Sequence, residues 1–285
     1  MPGNLTPARW RAQVKHNWEQ SALGWECFEP QLMYSLAAVD PALIRALAVK
    51  PGQRLLDVGC GSGEPTLTLA KLVGPRGAVL GVDVSRPMLQ VARRRARQHG
   101  VTNLRFVARD IARFEPGRAR FDGATSRFGL MFVDDIAGAL ARIRSALKPG
   151  GRAAFAVWGP VERNPYFAAR DGAIRPFLRE PPPDPEHAPH PLRFARPGAL
   201  ARHLRQAGFK AVASAGVVTP LTYNSLDQVL AMTFGVPGPS RELYLTLSRA
   251  DQRRLGQRLV GALRRFVVGP LIRAPGFAWV VSGRK

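Results

Sequence analysis

Cysteine is nearly absent: Cys27 and Cys60 are the only two among 285 residues. Two thiols cannot build a disulfide framework or a structural zinc site, and neither stands in a C-x-x-C pair. This scarcity fits a reducing compartment, so a cytoplasmic location is expected. Long apolar runs are missing too. No stretch reaches the roughly 20 apolar residues of a bilayer-crossing helix, and no membrane span is expected. Residues 1–18 mix Arg, Lys, Asn and Gln with scattered apolar side chains and lack the apolar centre of a secretory signal. Lysine is also scarce. Of 42 basic residues only Lys15, Lys50, Lys71, Lys148, Lys210 and Lys285 are lysine, so the formal charge of +22 is an arginine excess. Such a charge raises the possibility of nucleic acid as a partner. The arginines are spread along helix faces, as at Arg93, Arg94, Arg95 and Arg97, and solvated faces explain them better than a nucleic-acid surface.

Hydrophobic periodicity divides the chain into three stretches. Within 1–50, Trp10, Val14 and Trp18 recur every four residues, and Leu32, Leu36, Val39 and Leu43 make a second stripe, which predicts helices. Pro41 and Lys50-Pro51-Gly52 punctuate this stretch. Residues 53–159 alternate. Strands are expected at Arg54–Val58, Ala78–Asp83, Leu104–Ala108, Phe121–Ser126 and Arg152–Trp158. Helices are expected at Pro65–Leu72, Pro87–Gln98 and Ile136–Leu147, with a turn at Lys148–Gly151. This succession predicts an α/β fold with a parallel sheet covered on both faces. Beyond residue 160 the pattern loosens. A Pro-rich loop covers Pro181–Pro191, a helix Pro197–Ala207 and a strand Ala211–Thr219. Leu226–Val268 reads as mainly helical around a break at Pro237–Pro239, and Phe277–Ser282 as a last strand.

The most informative run is Leu55-Leu56-Asp57-Val58-Gly59-Cys60-Gly61-Ser62-Gly63-Glu64-Pro65. A strand enters Gly-x-Gly-x-Gly and a helix leaves it, at the sheet end where open α/β folds bind ligands. Glycines there let a ligand approach the backbone closely. A dinucleotide pyrophosphate would want a sixth-position glycine and free N–H groups at the helix start. Here Glu64 repels a polyanion and Pro65 removes a donor. A cationic nucleoside such as S-adenosylmethionine (SAM), with an ammonium, a sulfonium and no phosphate, reverses that argument. Asp83, at the end of the second strand, can accept from ribose hydroxyls. Met88 can pack on the nucleoside, and Asp110 can accept from an adenine amino group.

Asp57-Val-Gly-Cys-Gly-Ser-Gly, Asp83 with Ser85 and Met88-Leu89, Asp110, and Leu147-Lys-Pro-Gly-Gly-Arg152 together resemble class I SAM-dependent methyltransferases. The nearest branch is the ubiquinone/menaquinone-biosynthesis type, and the likeness spans residues 54–158. The resemblance implies a Rossmann-like seven-stranded sheet with its last strand antiparallel. It implies a methyltransferase domain over 51–285 with its core at 53–159, substrate-cap insertions at about 160–205 and 225–270, and a helical lid at 1–50. It assigns Asp57, Gly59, Gly61 and Gly63 to the methionine part of SAM, Asp83 to the ribose, and Asp110 with Ile111 to adenine.

Ser126, Arg127 and Phe128 end the fourth strand facing the methyl group, Ser126 as a further SAM-binding residue and Arg127 and Phe128 on the acceptor side. Arg127 can hold an anionic or polarised acceptor. The Asn/Asp-Pro-Pro-aromatic run of nucleic-acid amino-methyltransferases is missing. Trp25, Phe28 and Trp158 are expected at the acceptor, with Trp18 over the cleft and Tyr34, Tyr166 and Phe234 as further wall candidates. His16, His187 and His190 are the candidate general bases, beside Arg127. The adjacent Asp134 and Asp135 fit helix capping better than magnesium binding, and no metal is expected. The expected activity is methyl transfer to a small-molecule acceptor, an apolar or aromatic metabolite methylated on carbon or oxygen. RNA methylation and non-catalytic SAM binding are the alternatives. A homodimer is compatible with the sequence.

Overall fold

The computed structural model describes residues 6–180, 184–236 and 239–285, without the side chains of Leu23 and residues 29–32. Leu32 and parts of the Pro181–Pro191 and Pro237–Pro239 expectations thus lie outside the described residues. The chain opens with three helices, α1 (Pro7–Cys27), α2 (Glu29–Leu36) and α3 (Asp40–Leu47). The alternating stretch follows: β1 (Arg54–Val58), α4 (Thr66–Val73), β2 (Ala78–Asp83), α5 (Arg86–Gln98), β3 (Leu104–Ala108), β4 (Phe121–Arg127), α6 (Ile136–Ala146) and β5 (Leu147–Trp158). The remainder comprises α7 (Pro165–Ile174), α8 (Ala199–Gln206), β6 (Lys210–Val218), β7 (Leu221–Tyr223), α9 (Leu226–Gly235), α10 (Pro239–Thr246) and α11 (Arg249–Leu263). It ends with β8 (Val267–Val268), β9 (Leu271–Ala274) and β10 (Phe277–Arg284).

Seven strands form one sheet in the order β3-β2-β1-β4-β5-β10-β6. β3, β2, β1, β4 and β5 pair in parallel, while β10 runs antiparallel to both β5 and β6. The order reverses between β1 and β4, and that switch point opens a crevice at the carboxyl ends of the strands. The strands are buried because helices cover them. Leu55, Leu56 and Val58 of β1 and Ala153 to Val157 of β5 are almost without solvent contact. Local chemistry sets the helix starts. The Ser85 hydroxyl accepts the Met88 N–H at the head of α5, and the Asp135 carboxylate accepts the Gly138 N–H at the head of α6.

Two expectations need correction. Lys148–Gly151 is not a free turn but an irregular stretch inside β5. Pairing with β4 passes from Phe121↔Leu147 to Gly123↔Arg152, and the surplus residues of β5 bulge out where Gly150 takes φ +73°. Lys148 Nζ pins the bulge to Asp122 at 2.7 Å. The region 226–268 is not wholly helical either. Val267–Val268 joins a second, three-stranded sheet of order β7-β9-β8. This sheet and helices α7, α9, α10 and α11 build a layer beside the cavity mouth. β7 is fastened to α2: Thr219 Oγ1 donates to the Ser35 carbonyl at 2.7 Å, and the Thr222 N–H donates to Ser35 Oγ at 3.1 Å.

Candidate active site at the strand switch point

The glycine loop is held by its neighbours. The Gly59 and Cys60 N–H groups both donate to the Val82 carbonyl, at 2.8 and 3.2 Å. Gly59 has φ +68°, and a Cβ there would lie 3.0 Å from the Gly129 Cα, so the loops after β1 and β4 touch backbone to backbone. Only glycine permits both the conformation and the approach. Gly61 sits at φ +50° and gives its N–H to Asp83 Oδ2 at 2.9 Å, while Asp83 Oδ1 accepts the Ser85 N–H at 2.8 Å. Asp83 is thus locked between the loops after β1 and β2. Burial raises its pKa, and the three backbone N–H groups of Ser85, Gly61 and Val84 oppose that rise.

A cavity of about 500 Å³ runs from this loop to the helical layer. Gly59, Gly61, Asp83, Met88, Asp110 and Ile111 line one end. Trp18, Trp25, Arg127, Phe128 and Trp158 line it further along. Several expected residues stand elsewhere. Asp57 is fully buried behind the loop, with Oδ2 accepting the Thr66 hydroxyl at 2.5 Å and Oδ1 unpartnered. Burial pushes its pKa up to about 7, against the pull of that hydroxyl. Gly63 faces Ala92 and Leu67 instead of the cavity, because it packs α5 onto α4. Ser126 is buried under the loop, its hydroxyl without a partner and 2.8 Å from where a Gly129 Cβ would stand.

The candidate histidine bases stand off the cavity wall. His16 lies on the exposed face of α1 and His187 is exposed beside Asp184 at 3.8 Å; neither lines the cavity. His190 turns its Nδ1 to the Leu192 N–H at 3.1 Å, with Nε2 4.0 Å from Asp171, and it too is off the cavity wall. Phe28 does not line the cavity, since it caps the end of α1. Tyr34 is 70% exposed, and Phe234 stacks on Tyr244 with centroids 4.7 Å apart. Arg127 does face the cavity, but its Nη1 is held 3.0 Å from Asp40, in a pair from which solvent is almost excluded. Burial lifts Asp40 to about 6, with the Arg127 charge opposing. Asp134 pairs with Arg11 and Asp135 caps α6, so both adjacent acids are occupied. Among the described residues no cluster of three or more His, Cys, Asp or Glu side chains converges on a metal position.

Other wall residues escaped the sequence. Phe167, Arg170 and Tyr223 line the cavity beside Tyr166. Phe128 stacks on Trp158 at 4.4 Å, Trp158 meets Phe167 at 5.2 Å, Phe167 meets Tyr166 at 5.8 Å, and Tyr166 stacks on Tyr223 at 5.4 Å. The five rings make a continuous wall from the β4 loop to β7. Helix α1 lies across the cavity and is tied at both rims. On one side Trp10 Nε1 donates to the Phe132 carbonyl at 2.9 Å, Arg11 pairs with Asp134, and the Arg193 guanidinium stacks on Trp10. On the other, Glu26 pairs with Arg94 at 2.6 Å and the Ser85 hydroxyl donates to the Trp18 carbonyl.

Residues 55–151 match the methyltransferase domain family. Aklanonic acid methyltransferase of Streptomyces sp. (strain C5) is 31% identical over 205 residues, 70% of this chain and 86% of that protein. The chain belongs to the class I SAM-dependent methyltransferases. Nocamycin O-methyltransferase of Saccharothrix syringae is 29% identical over 277 residues, 92% of this methyltransferase and 93% of the relative. The fold agrees with that of the Burkholderia thailandensis 1,6-didemethyltoxoflavin-N1-methyltransferase, at TM-score 0.57 and 19% identity, covering 98% of this methyltransferase and 90% of that chain. The methyl donor of the enzyme is SAM. No helix among the described residues is long and apolar enough to cross a membrane.

Proposed function

We propose that this methyltransferase moves the methyl group of SAM onto carbon or oxygen of a small apolar or aromatic acceptor seated against the ring wall. The observation that carries this is the single cavity joining the glycine loop to Phe128, Trp158, Phe167, Tyr166 and Tyr223. The residues at its first end suit SAM. Acids and bases share the wall, Glu64, Asp83, Asp110 and Asp134 with Arg11, Lys15, Arg109, Arg127 and Arg170, and the carboxylate locked onto the glycine loop itself is Asp83, which suits a nucleoside better than a pyrophosphate. A glycine bed without side chains lets the donor lie on the backbone, and the unpartnered Asp57 Oδ1 behind it holds capacity for a further hydrogen bond. Asp83 would hold the ribose, Met88 and Ile111 the adenine faces, and Asp110 its amino edge. Asp57 would act from behind the loop, as support for the methionine end and not as a wall.

SAM supplies an electrophilic methyl group on a positively charged leaving sulfur. What remains for the protein is alignment, and effective molarities show how much barrier alignment alone can remove. Phe128 and Trp158 fix the plane of the acceptor, and Trp18 and Trp25 on α1 shut out water. Helices α1 to α3 thus serve as a cover over the site. RNA is disfavoured as acceptor, because the wall opposite the loop is aromatic and the arginines lie mostly elsewhere. The compartment is the cytoplasm, consistent with two free thiols. Calorimetry with S-adenosylhomocysteine (SAH) and with NADH tests the donor site: SAH should bind and NADH should not. Methyl gain by an aromatic acceptor, read by mass spectrometry, tests the reaction. An SAH titration without heat would overturn the assignment.

A further inference from the structure

The wall ends in a polar group that alignment of the methyl does not require. Tyr223 is buried at the end of β7, its ring stacked on Tyr166 with centroids 5.4 Å apart. Arg170 follows Tyr166 by four residues on α7, hence on the same helix face. Its guanidinium lies over Phe167, 5.4 Å from the ring centroid, and Phe167 in turn meets Tyr166. The Arg170, Tyr166 and Tyr223 side chains all line the cavity.

Arg170 has spare capacity. Asp171 takes its Nε and Nη2, both at 2.8 Å, and among the described residues no hydrogen bond engages Nη1. The Asp171 side chain is 44% exposed and that of Arg170 23%, so water weakens the hold of the acid more than it reaches the base. Arg127 differs: its buried pair with Asp40 is closed off from solvent. The cavity wall also holds no histidine among the described residues. The wall therefore offers no imidazole base, and an acceptor that is already acidic needs none.

We infer that Arg170, Tyr166 and Tyr223 bind an anionic oxygen of the acceptor, at the end of the ring wall remote from the glycine loop. The inference rests on the acceptor-site assignment above. A guanidinium edge and two phenols among apolar rings form a donor set for an oxyanion. Both a carboxylate and the ionised hydroxyl of an acidic enol have this chemistry.

The experiment uses the full chain saturated with SAH and two pairs of probes. The first pair is 1-hydroxy-2-naphthoate and its methyl ester; the second is 2-hydroxy-1,4-naphthoquinone, ionised at neutral pH, and its methyl ether. In at least one pair the anion should bind about ten- to a hundredfold tighter than its neutral partner, as expected for hydrogen bonds to a charged group. The pair that discriminates tells carboxylate from enolate. Arg170→Gln should erase that preference, Arg170→Lys should keep part of it, and Tyr223→Phe should weaken the anion several-fold. None should move the SAH Kd. Equal affinity within both pairs, no binding of any probe, or a preference that survives Arg170→Gln would overturn the inference. The SAH titration reads the donor site separately, so its failure would strike the methyl-transfer assignment instead.

Discussion

On the donor side of the cavity the machinery is largely main chain and lies close together in sequence. Gly59, Gly61, Asp83 and Ser85 lock one another through N–H groups contributed by consecutive loops. On the acceptor side the wall is all side chains, drawn from the loop after β4 and from β5, α7 and β7, more than 90 residues apart from Phe128 to Tyr223. A backbone cradle tolerates little change, since every alteration moves a loop. A side-chain wall can be rebuilt ring by ring on the same frame, which is how one fold serves many acceptors.

The comparison can be tested by asking whether the halves fail separately. Trp158→Ala should have the largest effect, costing about 3–5 kcal/mol of stability for a buried tryptophan. It should abolish acceptor binding while the SAH Kd changes little; an SAH Kd that rises in parallel would mean the halves are one unit. Asp83→Ala should act the other way. Loss of a charged hydrogen-bonding group costs about 1.5–3 kcal/mol, so SAH should bind roughly ten- to a hundredfold more weakly in calorimetry, with the ring wall intact by aromatic circular dichroism. Asp57→Asn probes the support behind the loop. The folded state raises Asp57 from 3.8 to about 7, so it binds more protons than the unfolded chain between those values. Stability should therefore fall as pH rises from about 4 to about 7. Denaturant melts should show a shallower fall in Asp57→Asn than in the wild type, and identical slopes would refute the shift. The smallest effect belongs to the outer rim: Arg94→Ala breaks a half-exposed pair with Glu26 and should cost under about 1 kcal/mol. It should speed SAH release in stopped-flow measurements only if α1 moves for exchange.

The same contrast governs what could be read from the sequence. The loop after β1, Asp83 and the alternation over 54–158 were legible because short-range chemistry dictates them: a glycine at φ +68°, a cap at Ser85, a strand that must be apolar on both faces. Gly63, Ser126 and Asp57 carry the right pattern but lie behind the wall, a distinction that depends on which way the loop turns. The partner of Arg127, Asp40, is 87 residues away, and no periodicity signals it. Tyr223 sits on a strand of three residues and Val267–Val268 on one of two, too short for any alternation to register. The histidines were suggested by residue type alone, and His16 and His187 project from exposed surfaces.

Because β10 is wedged between β5 and β6, the strand that completes this flank of the sheet is synthesised well after both of its neighbours. During translation β6 has emerged, along with α9 and α11, before any partner for its inner edge exists. That edge must wait unpaired, so the flank condenses in a late, long-range step, while β1, β2 and β3 can zip locally from the start. A ribosome-bound chain would thus hold a formed donor cradle while β6 still lacked the strand that joins it to the sheet.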